Sequence, residues 1–210
     1  MRPGSFSLTL LAAAALAACG TSDLAVTGPD HAPGAPHGVA FAPACVDFNV
    51  PPAGAIFGAP IPTPVGAVVW TENAIPVSVH RFLLTTGAWA YNWMRIEPVP
   101  ASFTLGVGNT AHLNNITAGF DFTGLPFVPT KVQFDFMDLG GYENLVVNAS
   151  PIYVGQLIAA PSPWGGTTVT SVSGPVPGGI QGTVTITGAA VNRVLVGGQE
   201  LWLDHVCAYP

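Results

Sequence analysis

The stretch Gly87-Ala-Trp-Ala-Tyr-Asn-Trp-Met94 carries the most suggestive chemistry in this sequence. On an extended strand, Trp89, Tyr91 and Trp93 project to one side, and Ala88, Ala90 and Asn92 to the other. Two residues advance about 6.6 Å along a strand, so the three rings would form a ladder. Exposed, such a ladder stacks on the apolar faces of sugars. Turned inward it is core, because aromatic side chains bury large areas. Both roles are open at this point. Trp164, in Pro163-Trp-Gly-Gly166, is a separate candidate, either a plug over the end of a sheet pair or a recognition side chain.

The acidic residues Glu72, Asp138, Glu143 and Asp204 fall at strand ends or in Gly-rich turns. Calcium takes six to eight oxygens, and loops add carbonyl and Asn ligands. Glu72-Asn73 would meet Asp204 if the first and last strands pair, and the turn Asp138-Leu-Gly-Gly-Tyr-Glu143 would fold two carboxylates around an ion. A structural calcium in this set is therefore an expectation. The alternative is that Asp138 caps its own turn and Glu143 is solvated. A glycosidase would need an acid and a base flanking one bond. Asp135 and Asp138 do not qualify, since odd spacing sends them to opposite faces of a strand.

Other catalytic signatures are missing: the sequence contains no GxSxG, HExxH or Walker motif. His80, His112 and His205 have no partner at i+2 or i+4, so each reads as a hydrogen-bonded or partly exposed strand residue, the alternative being a metal ligand if the fold gathers them. We therefore expect a non-catalytic domain, with no catalytic residues and no required cofactor.

The elements that must position these groups are strands. Lys131-Val-Gln-Phe-Asp-Phe-Met137 alternates, with Val132, Phe134 and Phe136 on one face; Gly182-Thr-Val-Thr-Ile-Thr187 places Val184 and Ile186 together. Similar runs occur at 65–72, 75–84, 88–96, 101–107, 116–122, 143–149, 151–157, 166–173, 191–196 and 200–207, cut by Gly, Pro and Asn. No helical apolar stripe follows the N-terminal segment. About a dozen short strands without a fixed repeat predict an all-β antiparallel sandwich of jelly-roll type over residues 45–210, without substantial helix.

The N-terminus has a basic residue, Arg2, a short apolar stretch from Phe6 to Ala15, and Leu16-Ala-Ala-Cys-Gly20, the layout of a secretory signal. Leu16-Ala-Ala-Cys19 resembles the bacterial lipoprotein box. The resemblance implies cleavage after residue 18, acylation of Cys19, and anchoring in the cell envelope; Gly20 favours the outer membrane or cell surface. Residues 19–44, rich in Pro, Gly and Ala, read as a semi-extended tether. Cys45 and Cys207 remain at the two edges of the domain. In an oxidising compartment they are expected to pair, the alternative being two buried free thiols.

The 210 residues are 49% hydrophobic and only 8% charged, with five Lys and Arg against eleven Asp and Glu. So few cations cannot neutralise a row of phosphates, which excludes nucleic acid as a partner. No apolar run reaches the roughly 18–20 residues of a spanning helix. Phe134-Asp-Phe-Met-Asp-Leu-Gly-Gly-Tyr-Glu-Asn-Leu-Val-Val-Asn148 and Gln199-Glu-Leu-Trp-Leu-Asp-His-Val-Cys207 resemble strands of galactose-binding-like jelly rolls, a group that includes many carbohydrate-binding modules. The resemblance implies a β-sandwich, a calcium in some members between an early acid and the late Asp, and recognition of a glycan or other envelope ligand. His205 beside the Asp departs from that pattern. Two other functions stay in view: a structural or protein-interaction lipoprotein, and a secreted hydrolase.

Overall fold

The computed structural model describes residues 41–210. The proposed signal (1–18), the lipidated Cys19 and all but the last residues of the 19–44 tether lie outside the described residues. In chain order the strands are β1 (Ala44–Val46), β2 (Ile56–Gly58), β3 (Val68–Glu72), β4 (Ile75–His80), β5 (Phe82–Leu83) and β6 (Trp89–Ala90). There follow β7 (Trp93–Pro98), β8 (Asn109–Asn114), β9 (Ile116–Asp121), β10 (Lys131–Asp138) and β11 (Glu143–Val147). The last are β12 (Tyr153–Gly155), β13 (Thr168–Val176), β14 (Gly179–Thr187), β15 (Arg193–Gly198) and β16 (Leu201–Tyr209). Helical structure among the described residues is one 3-10 turn, Leu157–Ala159.

Two antiparallel sheets form a sandwich. The first runs β13-β14-β10-β16-β8-β7-β2, with β1 added to β16 beyond the end of β8, and the second runs β12-β11-β15-β9-β4-β3. Its centre is a jelly roll. The chain passes from β8 to β9, β10 and β11 by changing sheet each time, then from β12 through β14, β15 and β16. It returns so that β16 lies between β8 and β10, and β15 between β9 and β11. This winding is two Greek keys. The alternating faces drive it: Val132, Phe134, Phe136, Val184 and Ile186 from the first sheet bury against Val77, Val79, Phe120, Leu145 and Val196 from the second.

Among the described residues the strands number sixteen, of which β1, β2, β5, β6 and β12 are only two or three residues long, leaving eleven longer ones against the expected dozen. One expected strand needs correction. The 101–107 run is not a strand. Pro100, just past the end of β7, has no N–H to offer a ladder, and the chain turns instead, Phe103 N donating to Pro100 O and Gly106 N to Phe103 O. This loop lies over the outer face of the first sheet, where Phe103 buries with Met137 and Trp202.

Cys45 and Cys207 form a disulfide at directly opposed positions of β1 and β16. It closes a separation of 162 residues. The chain-entropy model assigns such a loop up to about 5 kcal/mol.

Candidate ligand groove and the acidic clusters

The three aromatics of the 88–96 run do not form a ladder. The chain leaves one pairing and enters another at Tyr91-Asn92, where Asn92 N donates to Asn115 O and Asn92 O accepts from Ala59 N. Trp89 pairs with Leu83 in the β5–β6 hairpin and is 52% exposed. Tyr91 packs on the main core and its hydroxyl donates to Thr63 O at 2.6 Å. Trp93 begins β7 on the other sheet. There its ring meets His112 edge-on at 4.9 Å, with the Arg95 guanidinium 4.9 Å from its centroid. Trp164 is partly buried: it packs against the core and edge-on to Tyr153, and its carbonyl accepts from Thr167 N and Oγ1.

The four acids expected around calcium occupy three separate places. Glu72 Oε1 accepts from Asp47 N. Asp138 and Glu143 do come together across their turn: Asp138 Oδ1 accepts from Gly140 N, Glu143 Oε2 accepts from Leu157 N, and Glu143 Oε1 is buried without a hydrogen-bond partner. Burial, then the charge of Asp138, pushes Glu143 up to about 8, and burial raises Asp138 too. Asp138 thus caps its own turn, while Glu143 is buried rather than solvated and holds its proton at neutral pH.

Asp204 is fully buried, with Oδ2 accepting from Val107 N and Oδ1 from His205 N; burial pushes it up to about 6. The early acid beside it is Asp47, not Glu72. Among the described residues, Asp47, Asp204 and His205 bring one ligand atom each within 4.8 Å of one another, and Glu72, Asp138 and Glu143 are not in that group. His205 joins because β16 carries a bulge: Gln133 and Asp135, two apart, pair with Cys207 and Asp204, three apart. The extra residue, His205 at φ 48°, turns outward beside Asp204 while Val206 still reaches the core.

The outer face of the second sheet holds the concave surface with the richest recognition chemistry. Because Val77, Val79, Ala118, Phe120, Val194 and Val196 point into the core, Ser78, His80, Gly119, Asp121, Arg193 and Leu195 point out. Ser78, His80, Gly119, Asp121 and Arg193 border a groove of about 250 Å³. His80 also borders an adjoining cleft of about 400 Å³ with Arg81, Trp89, Ile152 and Leu195. The floor requires glycine: a Cβ on Gly119 would come within 2.7 Å of Ser78 Oγ and 2.8 Å of His80 Nε2. Ser78 Oγ and His80 Nε2 are hydrogen-bonded at 2.9 Å. Burial, then the Arg193 charge, lowers the His80 pKa, so its imidazole is neutral at neutral pH.

The hairpin bearing Trp89 is fixed over this face. Phe82 is fully buried. The Asn144 side chain clamps Leu83, accepting from its N–H at 2.6 Å and donating to its carbonyl at 3.0 Å, and Thr117 Oγ1 donates to Arg81 O. Of the groove residues, sequence reasoning had singled out only Trp89 and, as an isolated histidine, His80. Alternation in 75–80 already placed Ser78 and His80 on one face. Arg193 reaches them only through the long-range pairing of β9 with β4 and β15.

Comparison with protein-family models, with curated proteins and with solved structures finds no match to this chain.

Proposed function

We propose that this domain is a non-catalytic recognition module that binds carbohydrate in the groove on the outer face of the second sheet. The exposed Trp89 carries the proposal. A large ring held by a clamped hairpin beside a cleft that adjoins the polar groove is a pre-organised stacking platform, and it loses little entropy on binding. Ser78, neutral His80 and Asp121 supply the directional donors and acceptors that sugar hydroxyls need. In the lipoprotein reading, Cys19 carries the acyl anchor and the Pro/Gly tether holds the groove away from an outer-membrane or cell surface.

A hydrolase is less well supported. Asp138 and Glu143, the two acids that meet across the 138–143 turn, are both buried, whereas an acid and a base that flank a glycosidic bond must be open to the sugar chain. The structural or protein-interaction reading has one feature in its favour. Edge strand β13 has no charged side chain over nine residues, and its Val172 is 77% exposed; uncharged open edges pair readily with other chains.

Acrylamide quenching of tryptophan fluorescence across a polysaccharide panel tests the proposal. Trp89 is the exposed member of the five tryptophans, so a bound glycan is expected to protect a quenchable fraction that Trp89→Phe removes. Absence of protection by every polysaccharide would overturn it.

A further inference from the structure

The cations of the described domain are Arg81, Arg95, Lys131 and Arg193. Two of them are occupied by aromatic rings on the first sheet: Arg95 lies over Trp93, and Lys131 Nζ stands 3.6 Å from the Tyr209 ring centroid. The other two, Arg81 and Arg193, border the Trp89 cleft and its adjoining groove, and both are exposed. Among the described residues neither has a carboxylate within 4.0 Å or an aromatic ring beneath it; the ion pairs present all involve His112 or His205. One carboxylate borders the groove, Asp121, opposite Arg193 in the β9–β15 register. Its Oδ1 already accepts from both the N–H and the hydroxyl of Thr123.

A chain with a formal charge of −6 thus places the two unengaged guanidinium groups among its described residues along one concave surface, beside its exposed tryptophan. Guanidinium is the planar fork that matches a carboxylate with two parallel hydrogen bonds. We infer that the groove selects acidic polysaccharides, with a uronate carboxylate held by Arg193 or Arg81 while a sugar ring stacks on Trp89. The inference rests on the carbohydrate reading above and names its substrate class. Asp121 adds a reason for selectivity: it accepts hydrogen bonds from sugar hydroxyls but repels a carboxylate placed in the wrong register. The interaction is electrostatic and partly exposed, so it weakens as salt shortens the Debye length below about 8 Å.

The test uses the full-length chain and one polymer in two forms, polygalacturonate and its fully methyl-esterified derivative, with a neutral galactan and a sulfated galactan alongside. Affinity is read by calorimetry at two salt concentrations. The expected result is at least about tenfold tighter binding to the free acid than to the ester, the worth of one charge-assisted hydrogen bond. Arg193→Gln and Arg81→Gln, at exposed sites that leave the melting temperature unchanged, should reduce that preference. Equal affinity for acid and ester, with binding still lost in Trp89→Ala, would overturn the inference and leave the carbohydrate reading standing. A preference for the sulfated over the carboxylated polymer would overturn the uronate assignment. No binding to any of the four would overturn the carbohydrate reading itself.

Discussion

Oδ1 of Asp47 lies 3.9 Å from Nε2 of His205, while Nδ1 of the same ring stands 3.4 Å from Asp135 Oδ2 and 3.7 Å from Asp204 Oδ2. Three carboxylates from three segments therefore surround one imidazole on the outer face of the first sheet. The disulfide sets the arrangement. Cys45 opposes Cys207 and Val46 opposes Val206, so the next residues outward are Asp47 and His205.

That dependence gives a stability prediction. Replacing Cys45 and Cys207 together by Ser should lower the free energy of unfolding by up to about 5 kcal/mol and release β1 from β16. Urea unfolding with and without reductant measures it. An unchanged midpoint on reduction would contradict the role given to the disulfide.

The buried acids give a pH prediction. Glu143 is raised to about 8 from 4.5, and Asp204 to about 6 from 3.8. In each case the folded state holds its proton where the unfolded chain has lost it. The associated stability is complete below the unfolded pKa and is lost as pH rises through the folded one. Below 6.5, His80 and His112 act in the opposite sense, since burial lowers both. The clear window is therefore pH 6.5 to 8, where Glu143 dominates and the melting temperature should fall. Glu143→Gln keeps an acceptor for Leu157 N and removes the titrating group, and should flatten that fall. A wild-type melting temperature that rises across this window would contradict the raised pKa of Glu143.

Gly119 gives a prediction about the groove. Gly119→Ala forces Ser78 and His80 apart, at a cost of about 1–3 kcal/mol for an overpacked site. Glycan affinity should drop while the protein remains folded, measured by calorimetry and circular dichroism. Unaltered affinity would place the ligand elsewhere.

The sandwich was legible in the sequence because period-two runs such as 131–137 and 182–187 bury one face, and a buried face specifies its own register. The disulfide was legible from the positions of Cys45 and Cys207 at the two edges of the domain. The aromatic site was only half legible. Strict alternation aligned Trp89, Tyr91 and Trp93, but a strand pattern does not tell that the chain changes pairing partner at Tyr91-Asn92. The Asp47–His205 pairing needed just the cysteine register extended by two residues, together with a bulge at His205 that no local pattern announces. Arg193 and Ser78 meet through strands more than a hundred residues apart in sequence, and single-sequence periodicity carries no information about such pairings. The 101–107 run looked like a strand because the apolar residues Phe103, Leu105 and Val107 alternate there; Pro100 and the turn that follows it decided otherwise.

The central claim is that Trp89, and not a three-ring ladder, forms the binding platform. The most direct measurement compares polysaccharide affinity for the wild type, Trp89→Ala and Trp93→Ala, each checked for an unchanged fold. Trp93 lies on the opposite sheet against His112 and Arg95. The account predicts that Trp89→Ala abolishes retention on the bound glycan and that Trp93→Ala leaves it intact. Equal loss in both variants, or binding that survives Trp89→Ala, would contradict it.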